Sequence, residues 1–331
     1  MAEAGWSSEI QPQFWVSIVR LAAAACSAGA VWLLWNSNIL TDRQRHAALA
    51  AGLVYGLFSI SADLGLVFAG KYKYAFDEML YMGVPLDVHF VYACLWGTGV
   101  CLAWEMSWLL MRPVVFIAAV SLGVVWDQWG LKSGHIFITP SSDWQMWDII
   151  VRSALCFICV CFFRLVEENR AIVLRSMIYA LGYFAVFYFL IPSIVLSSSM
   201  GQPLFPEGQW REVALLLGLV SLPGAWAAGQ FAISGRGTPL PLDPTQKLIV
   251  TGPYAYVRNP MQLSLVGVSA IWAYTTRSYA LGGYVVVLLL AMRLFRVYEE
   301  DGLHRRFGER YKKYSRKIWL WLPKLIAYEE D

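Results

Sequence analysis

Long apolar stretches recur along the whole chain and are separated by short polar segments that hold most of the charged residues. A stretch of about twenty apolar residues is long enough to cross a bilayer as a helix. Spans must be helical, because an irregular backbone facing lipid leaves its polar groups without hydrogen bonds. We therefore predict an all-α, polytopic transmembrane bundle of about nine spans, over residues 14–35, 47–69, 83–104, 107–126, 146–163, 172–196, 212–233, 261–275 and 278–296.

The last two predicted spans are separated only by Thr276 to Ser278, and the first of them begins directly after Pro260. Proline is well tolerated at the first position of a helix, where its missing N–H group has no partner to lose. Short connections between helices are typical of antiparallel neighbours. These features predict a helical hairpin.

The composition of the 331-residue chain agrees with a membrane protein. Hydrophobic residues make up 58% and charged residues 15%, against roughly 25% charged residues in soluble domains. The net charge of +3 carries no signature of nucleic-acid binding. All six cysteines lie inside apolar runs. Cys156, Cys159 and Cys161 point to different faces of one predicted helix, so we expect neither a disulfide framework nor a metal site.

The basic residues predict an orientation. They follow the first span, link the fifth and sixth, follow the seventh, and recur in the tail from Arg305 to Lys317. With nine spans these segments share one side, which the positive-inside rule assigns to the cytoplasm. The N-terminus is then outside and the C-terminus cytoplasmic. The first residues lack the positive start of a cleavable secretory signal.

The motifs that suggest chemistry lie between Gly235 and Pro323. A loop rich in glycine and proline leads into the sequence G-P-Y-A-Y-V-R-N-P over residues 252–260. The predicted hairpin follows, and after it come the Glu299-Glu300 pair and the pattern F-G-x-x-Y-x-x-Y over residues 307–314. Any one of these motifs alone is weak, but their combination is fairly specific.

In this order and spacing the motifs resemble those of the integral-membrane S-adenosylmethionine-dependent methyltransferases. That family includes isoprenylcysteine carboxyl methyltransferase and the phospholipid methyltransferases. The resemblance implies an enzyme that moves the methyl group of S-adenosyl-L-methionine to a lipophilic acceptor. The acceptor would be an isoprenylcysteine-like carboxylate, or a lipid amine or hydroxyl. It also implies a cofactor pocket that faces the cytoplasm.

The resemblance carries functional roles to individual positions. The residues expected to bind the cofactor are Ile249, Val250, Gly252, Tyr254, Arg258, Asn259, Pro260 and Glu299. The residues expected to take part in catalysis are Arg258, Asn259, Arg296 and Glu300. No metal ligand is implied.

The chain departs from the family pattern at two positions. Asn259 stands where the isoprenylcysteine enzymes have histidine, and an asparagine side chain cannot act as a titrating base. A substrate-contacting arginine falls by spacing on Phe295, with Arg293 and Arg296 nearby and able to take the role.

Elementary chemistry agrees with these assignments. A carboxylate such as Glu299 can bind the ammonium or the ribose hydroxyls of the cofactor, and a guanidinium such as Arg258 can hold its carboxylate. A carboxylate acceptor needs no base. An amine or hydroxyl acceptor does need one, and Glu300 is then the candidate.

We divide the chain into an N-terminal helical region of unknown role, residues 1–200, and a catalytic core, residues 201–331. The N-terminal region carries ionisable residues in or beside its spans, which are candidates for function by default. Otherwise Asp87, Asp127 and Arg152 are interfacial, and Arg20 and Asp63 pair across helices. They are Arg20, Asp63, Asp87, His89, Asp127 and Arg152.

Two other functions stay open. One is an NADPH-dependent membrane reductase of the sterol-reductase type, whose C-terminal architecture is similar but whose pattern lacks the Glu-Glu pair. The other is a non-enzymatic lipid transporter or lipid-binding protein, which would not explain the ordered set of motifs between Gly235 and Pro323. In each case the expected partners are the bilayer and a lipid or prenylated small molecule.

Overall fold

Helices make up most of the chain in a computed structural model of the protein, as the predicted all-α class requires. They fall into two units, Met1–Arg170 and Ala171–Asp331. The residues that the structure describes are 22, 24–29, 31–33, 35–36, 40–74, 80–81, 84–107, 111–125, 138–140, 143–200, 210–238 and 245–330.

The first unit is a helical bundle with two very short antiparallel strand pairs in its connections. Its helices are α1 (Asp42–Phe68), α2 (Leu86–Tyr92), α3 (Val100–Met106), α4 (Arg112–Val125) and α5 (Trp144–Glu167). A π-helical segment, Ala93–Gly99, joins α2 to α3. The strands are β1 (Tyr72–Tyr74), β2 (Leu80–Tyr81), β3 (Val84–Pro85) and β4 (Ile138–Pro140), with β1 paired to β4 and β2 to β3.

Helix α1 begins with a capping box and packs through small residues. The Thr41 hydroxyl accepts a hydrogen bond from the Gln44 backbone N–H, and the Gln44 side chain accepts one from the Thr41 backbone N–H. Further along, a Cβ added to Gly97 of the π-helical segment would lie 2.4 Å from the Cα of Gly52. The two backbones therefore touch, a contact that only glycine permits and that is common between membrane helices.

A buried cluster of charged and polar side chains joins three helices of this unit. Asp63 of α1 accepts a hydrogen bond from Arg152 of α5 at 2.5 Å, and its other oxygen lies 3.4 Å from Nε2 of His89 on α2. Asp148 lies 3.4 Å from Arg152. Ser59 hydrogen-bonds Nδ1 of His89 at 2.8 Å. All five side chains are buried, so Arg152 is an interior residue rather than an interfacial one.

Three other ionisable residues named in the sequence analysis of the N-terminal region cannot be compared with the structure. Arg20 and Asp127 lie outside the described residues, as does the side chain of Asp87. The partner that the structure gives to Asp63 is Arg152.

The second unit contains the residues that resemble a methyltransferase. Its helices are α6 (Ile172–Phe184), α7 (Ile191–Met200), α8 (Trp210–Ile233), α9 (Pro260–Thr276) and α10 (Tyr279–Lys317). A π-helical segment, Ala185–Leu190, joins α6 to α7. One backbone carbonyl of that segment, at Tyr188, accepts a hydrogen bond from the buried Trp272 indole of α9 at 2.7 Å.

Helices α8 and α9 approach closely where proline interrupts α8. Pro223 lies inside the helix and lacks an N–H group. The next residue, Gly224, donates its backbone N–H to the Ser264 hydroxyl of α9 at 2.9 Å. A Cβ on Gly224 would lie 2.8 Å from the Ser264 Cβ, so the contact requires glycine.

The predicted hairpin is present as α9 and α10. Arg277 takes the left-handed conformation (φ 52°) after the last turn of α9. Ser278 then caps α10 by accepting a hydrogen bond from the Leu281 backbone N–H. The connection is therefore Arg277 and Ser278, which lies within the predicted turn around Thr276 to Ser278.

Five described helices are long and apolar enough to cross a membrane, which supports an integral membrane protein. They correspond to the second, fifth, sixth, seventh and ninth predicted spans, and they are Asp42–Phe68, Trp144–Glu167, Ile172–Leu196, Arg211–Ile233 and Tyr279–Val297. The predicted spans 83–104, 107–126 and 261–275 fold as shorter helices or helix pairs, and most of 14–35 lies outside the described residues. The count of nine and the orientation stay predictions.

The geometric division between the units lies earlier than our predicted domain boundary. The units separate after Arg170, so residues 172–200 belong with the second unit. Their π-helical segment supplies the carbonyl that binds Trp272, which explains this grouping. The division by function into residues 1–200 and 201–331 stays a prediction.

Replacing Asp63 with alanine should destabilise the protein by about 1–3 kcal/mol, because the buried Arg152 loses one of its two carboxylate partners and keeps Asp148. Chemical unfolding in detergent micelles measures this free energy. Asp42→Ala serves as the control, since the Asp42 side chain is 88% exposed in its ion pair with Arg45 and should contribute little. Equal stability of the two variants would contradict the structural role of the buried cluster.

Candidate active site

A short turn before α9 positions the G-P-Y segment. Gly252 starts a 3₁₀ turn, Gly252–Ala255, with φ of 60°. A Cβ at this position would lie 3.3 Å from the Trp226 ring of α8. Glycine is therefore required here both by the backbone conformation and by the neighbouring ring.

The residues before this turn alternate between two apolar clusters. Ile249 packs with Ala227 of α8 and with Tyr254. Val250 packs instead with Tyr311 and other residues of the C-terminal part. Ile249 and Val250 thus support the site by packing.

Two arginines and two glutamates form an ion-pair network at the end of the hairpin. Arg258 donates to one oxygen of Glu300 at 3.0 Å, and Arg296 donates to the other at 2.8 Å. Arg296 also donates to Glu299 at 3.2 Å. Arg296 is only 3% exposed, so these carboxylates compensate a buried charge. Residues from before and after the hairpin, far apart in sequence, meet here.

Tyr311 completes the network, and the sequence analysis gave it no role. Its hydroxyl accepts a hydrogen bond from Arg296 and donates one to Glu300 at 2.9 Å. Arg258 lies 3.4 Å from the same oxygen. The signal was available in the F-G-x-x-Y pattern, but the pattern alone does not say what the tyrosine contacts.

A bend at Gly308 brings Tyr311 to the site. Gly308 has φ of 53° and ψ of −134°, a conformation open essentially to glycine alone, and it interrupts α10. Beyond the bend, the Tyr314 hydroxyl donates to the Tyr254 carbonyl at 2.7 Å. The glycine of the F-G pattern is therefore a corner between two helical pieces.

The C-terminal tail, residues 318–328, then runs along the segment that carries Arg258. Four hydrogen bonds between backbone groups join them: Arg258 N–H to Trp319 O (3.0 Å), Asn259 N–H to Leu320 O (3.2 Å), Lys324 N–H to Tyr256 O (2.9 Å) and Tyr328 N–H to Ala255 O (2.8 Å). The tail therefore fixes the backbone of the predicted site residues.

Asn259 acts as a bridge within the site. Its side-chain carbonyl accepts a hydrogen bond from Arg296 at 3.3 Å, and its amide donates to Gln262 at 2.9 Å. The Trp321 indole of the tail donates to the same Gln262 oxygen at 3.0 Å. Pro260 follows as the first residue of α9. Asparagine can fill both donor and acceptor positions without titrating.

The charges of the network keep Glu300 ionised. Burial raises the pKa of Glu300, but Arg296, the Tyr311 hydroxyl and Arg258 together outweigh it and hold the pKa below its usual range. Burial raises the pKa of Tyr311 to about 12, and the nearby Glu300 adds to the increase against the opposing effect of Arg296. Tyr311 is thus a neutral donor at physiological pH, and Glu300 is a weak base.

Some polar groups at the site are available to a ligand. The Glu299 side chain is 39% exposed and that of Glu300 is 31% exposed. The Tyr254 hydroxyl and Nε of Arg258 are buried and make no hydrogen bond with any described residue. These groups are candidates to bind a polar molecule.

The structure brings most of the predicted site residues together. Arg258, Asn259, Pro260, Arg296, Glu299 and Glu300 form one cluster. Tyr254 adjoins it through Tyr314, whereas Ile249, Val250 and Gly252 support the turn. Phe295 is 53% exposed and Arg293 is exposed, so the geometry favours Arg296 as the arginine near the glutamate pair.

Residues 220–310 match the family model for phospholipid methyltransferase. This region begins in α8, contains α9 and α10 as far as residue 310, and includes both arginines and both glutamates of the network. The predicted resemblance to the integral-membrane methyltransferases is thereby confirmed for the C-terminal region. The isoprenylcysteine type is not distinguished by this match. Comparisons with curated proteins and with solved structures give no significant match.

Replacing Gly308 with alanine should loosen the tail, because a residue with a Cβ is strained by about 1–3 kcal/mol in this conformation. Hydrogen exchange of residues 309–328 in detergent should become faster. Gly302→Ala is the matched control: Gly302 is helical with open space around it, so alanine there should be neutral or slightly stabilising. Unchanged exchange in Gly308→Ala would show that the bend does not hold the tail.

The Glu300 network should make stability depend on acid pH. The folded-state pKa of Glu300 is lowered, so its contribution is present above the ordinary value of 4.5 and is lost as pH falls through the lowered value. Unfolding temperatures measured from neutral pH downward should fall less steeply for Glu300→Gln than for the wild type. In Tyr311→Phe the loss should be smaller and should be complete at a higher pH, because one hydrogen bond that lowers the folded-state pKa of Glu300 is removed. Identical acid profiles in all three proteins would contradict the network.

Proposed function

We propose that the protein is an integral-membrane methyltransferase that uses S-adenosyl-L-methionine and acts on a lipophilic acceptor. The observation that carries the proposal is the cluster of Arg258, Arg296, Glu299 and Glu300. It lies inside the region that matches the phospholipid methyltransferase family. The motifs that define the resemblance converge on this one place.

The groups at the site are suited to the proposed cofactor. The partly exposed Glu299 carboxylate would bind its ammonium group or its ribose hydroxyls. Nε of Arg258 and the Tyr254 hydroxyl, which are buried without a partner among the described residues, would bind its carboxylate and another polar group. When bound, S-adenosyl-L-methionine supplies an electrophilic methyl group. The cofactor pocket would open to the cytoplasm in the predicted orientation.

The protein's own contribution would be positioning and exclusion of water. Methyl transfer is an in-line displacement, which gains mainly from holding the two reactants in line in a dry site. Tyr311 and Glu300 fix the direction of Arg296, and the tail fixes the backbone of Arg258 and Asn259. Arg296 would then orient the acceptor.

The site favours an acceptor whose nucleophile is already deprotonated. Glu300 is held by two guanidinium groups with a lowered pKa, and Asn259 cannot titrate, so neither is a good general base. An isoprenylcysteine-like carboxylate meets this condition at neutral pH. The family match supports a phospholipid amine as the other acceptor class, and such an amine must lose its proton before transfer.

The alternatives have less support. The family match favours methyl transfer over NADPH-dependent reduction of the sterol-reductase type, and the Glu299-Glu300 pair agrees with it. A non-enzymatic lipid transporter or binding protein would not require the paired arginines and glutamates. In our proposal residues 201–331 form the catalytic core, and the N-terminal region shapes the path by which a lipid or prenylated substrate enters.

Calorimetric titration with S-adenosylhomocysteine tests the cofactor. The purified, detergent-solubilised wild type should bind it, whereas Glu299→Gln and Arg258→Ala should not. Each variant should remain folded, because the ion pair between the buried Arg296 and Glu300 is kept in both. Glu309→Gln and Arg306→Ala are the matched controls, since both residues are exposed outside the network, and they should bind normally.

A parallel titration with NADPH and an acceptor assay complete the test. Binding of NADPH alone would favour the reductase, and normal binding of S-adenosylhomocysteine by both site variants would overturn the site. Labelled methyl donor should modify a prenylated cysteine carboxylate faster than phosphatidylethanolamine. The reverse preference would replace the carboxylate with an amine as the acceptor.

A further inference from the structure

The C-terminal tail lies at the end of the helical hairpin. Trp321 packs against the apolar core formed by the hairpin helices. The neighbouring Leu320 carbonyl accepts the Asn259 N–H, one residue before Pro260 begins α9. The tail is therefore held at the level where these apolar helices end, which is the level of a membrane–water interface.

Apart from Trp321, several large apolar side chains of this short tail are exposed. The exposed fractions are 55% for Trp319, 67% for Leu322, 100% for Leu325 and 82% for Ile326. Scattered apolar residues are normal on a protein surface, but four within eight consecutive residues form a patch that is typical of an interaction site. Tryptophan is also enriched at the membrane interface.

Basic residues lie within this patch and along the helix that precedes it. Lys324 lies over the Trp319 ring, with its ammonium 5.6 Å from the ring centre. Two nearby acidic side chains are neutralised in ion pairs, Glu309 by Lys312 and Glu330 by Arg310, whereas Glu329 is exposed. The exposed basic residues of the adjoining helix are Arg305, Arg306, Lys313, Arg316 and Lys317.

We infer that the tail and the helix before it dock on anionic phospholipid of the same bilayer that the protein spans. An anionic lipid surface accepts apolar side chains below the headgroups and basic side chains among them, which is the combination presented here. The tail is already fixed beside the ends of the apolar helices, so the bilayer that these helices cross is adjacent to it. This inference does not depend on methyl transfer. It assigns the tail a second contact besides the Arg258 segment.

Hydrogen exchange of the full-length protein in lipid nanodiscs tests this docking. Amides of residues 318–328 should be better protected in discs of phosphatidylcholine mixed with phosphatidylserine than in discs of phosphatidylcholine alone. In the double variant Lys313→Gln/Arg316→Gln this gain in protection should be about 30-fold smaller. Each basic residue near an anionic surface raises the affinity for that surface roughly fivefold. Leu325→Ser/Ile326→Ser should lower protection in both kinds of disc. The control variant Glu329→Gln should keep the gain.

Photo-crosslinking separates the lipid from other occupants. The photoreactive amino acid p-benzoylphenylalanine at position 325 should form adducts with phospholipid in nanodiscs, detected by mass spectrometry. Adducts with a second copy of the chain would overturn the inference in favour of an oligomer interface. Equal exchange in the two lipid compositions would also overturn it. The substituted residues lie outside the site network, so these variants should bind S-adenosylhomocysteine normally whether or not the tail docks on lipid.

Discussion

The need to neutralise one buried cation organises the second unit. Arg296 is 3% exposed near the end of the apolar part of α10, and a lone buried charge is very costly. Its guanidinium is satisfied by Glu299, Glu300, Asn259 and the Tyr311 hydroxyl. Asn259 precedes α9, Glu299 and Glu300 follow Arg296 on α10, and Tyr311 lies beyond the bend at Gly308. The chain must therefore fold back on both sides of Arg296 to supply these partners.

The apolar pattern was sufficient to predict the helices but not their partners. Hydropathy located the hairpin around Thr276 to Ser278, because two apolar stretches meet there and Pro260 marks the start of the first helix. It could not show that Trp272 binds the Tyr188 carbonyl of a π-helical segment, since π-helices leave no mark in the hydrophobic period. The geometric division after Arg170 likewise has no mark in the apolar pattern, and the predicted division by function at residue 200 stays a prediction.

The sequence predicted which residues belong to the cluster around Arg296 better than it predicted the hydrogen bonds and ion pairs between them. The resemblance to the family selected Arg258, Asn259, Glu299 and Glu300. Arg296 was selected because it lies next to Phe295, the position at which the family's spacing places an arginine. The role of Tyr311 required the direction of the chain after Gly308, which depends on one backbone torsion. Likewise the pairing of Asp63 with Arg152 in the first unit joins positions that no local pattern connects.

The closure of the site by the C-terminal tail has a consequence for biosynthesis. The ribosome makes the Arg258 segment first, then the hairpin, and only afterwards the tail that binds that segment through backbone groups. Membrane insertion of the spanning helices therefore precedes completion of the site. A chain that stalls after the hairpin would be inserted like the full protein yet would leave the N–H groups of Arg258 and Asn259 open, a difference that a cell's quality-control proteases could detect.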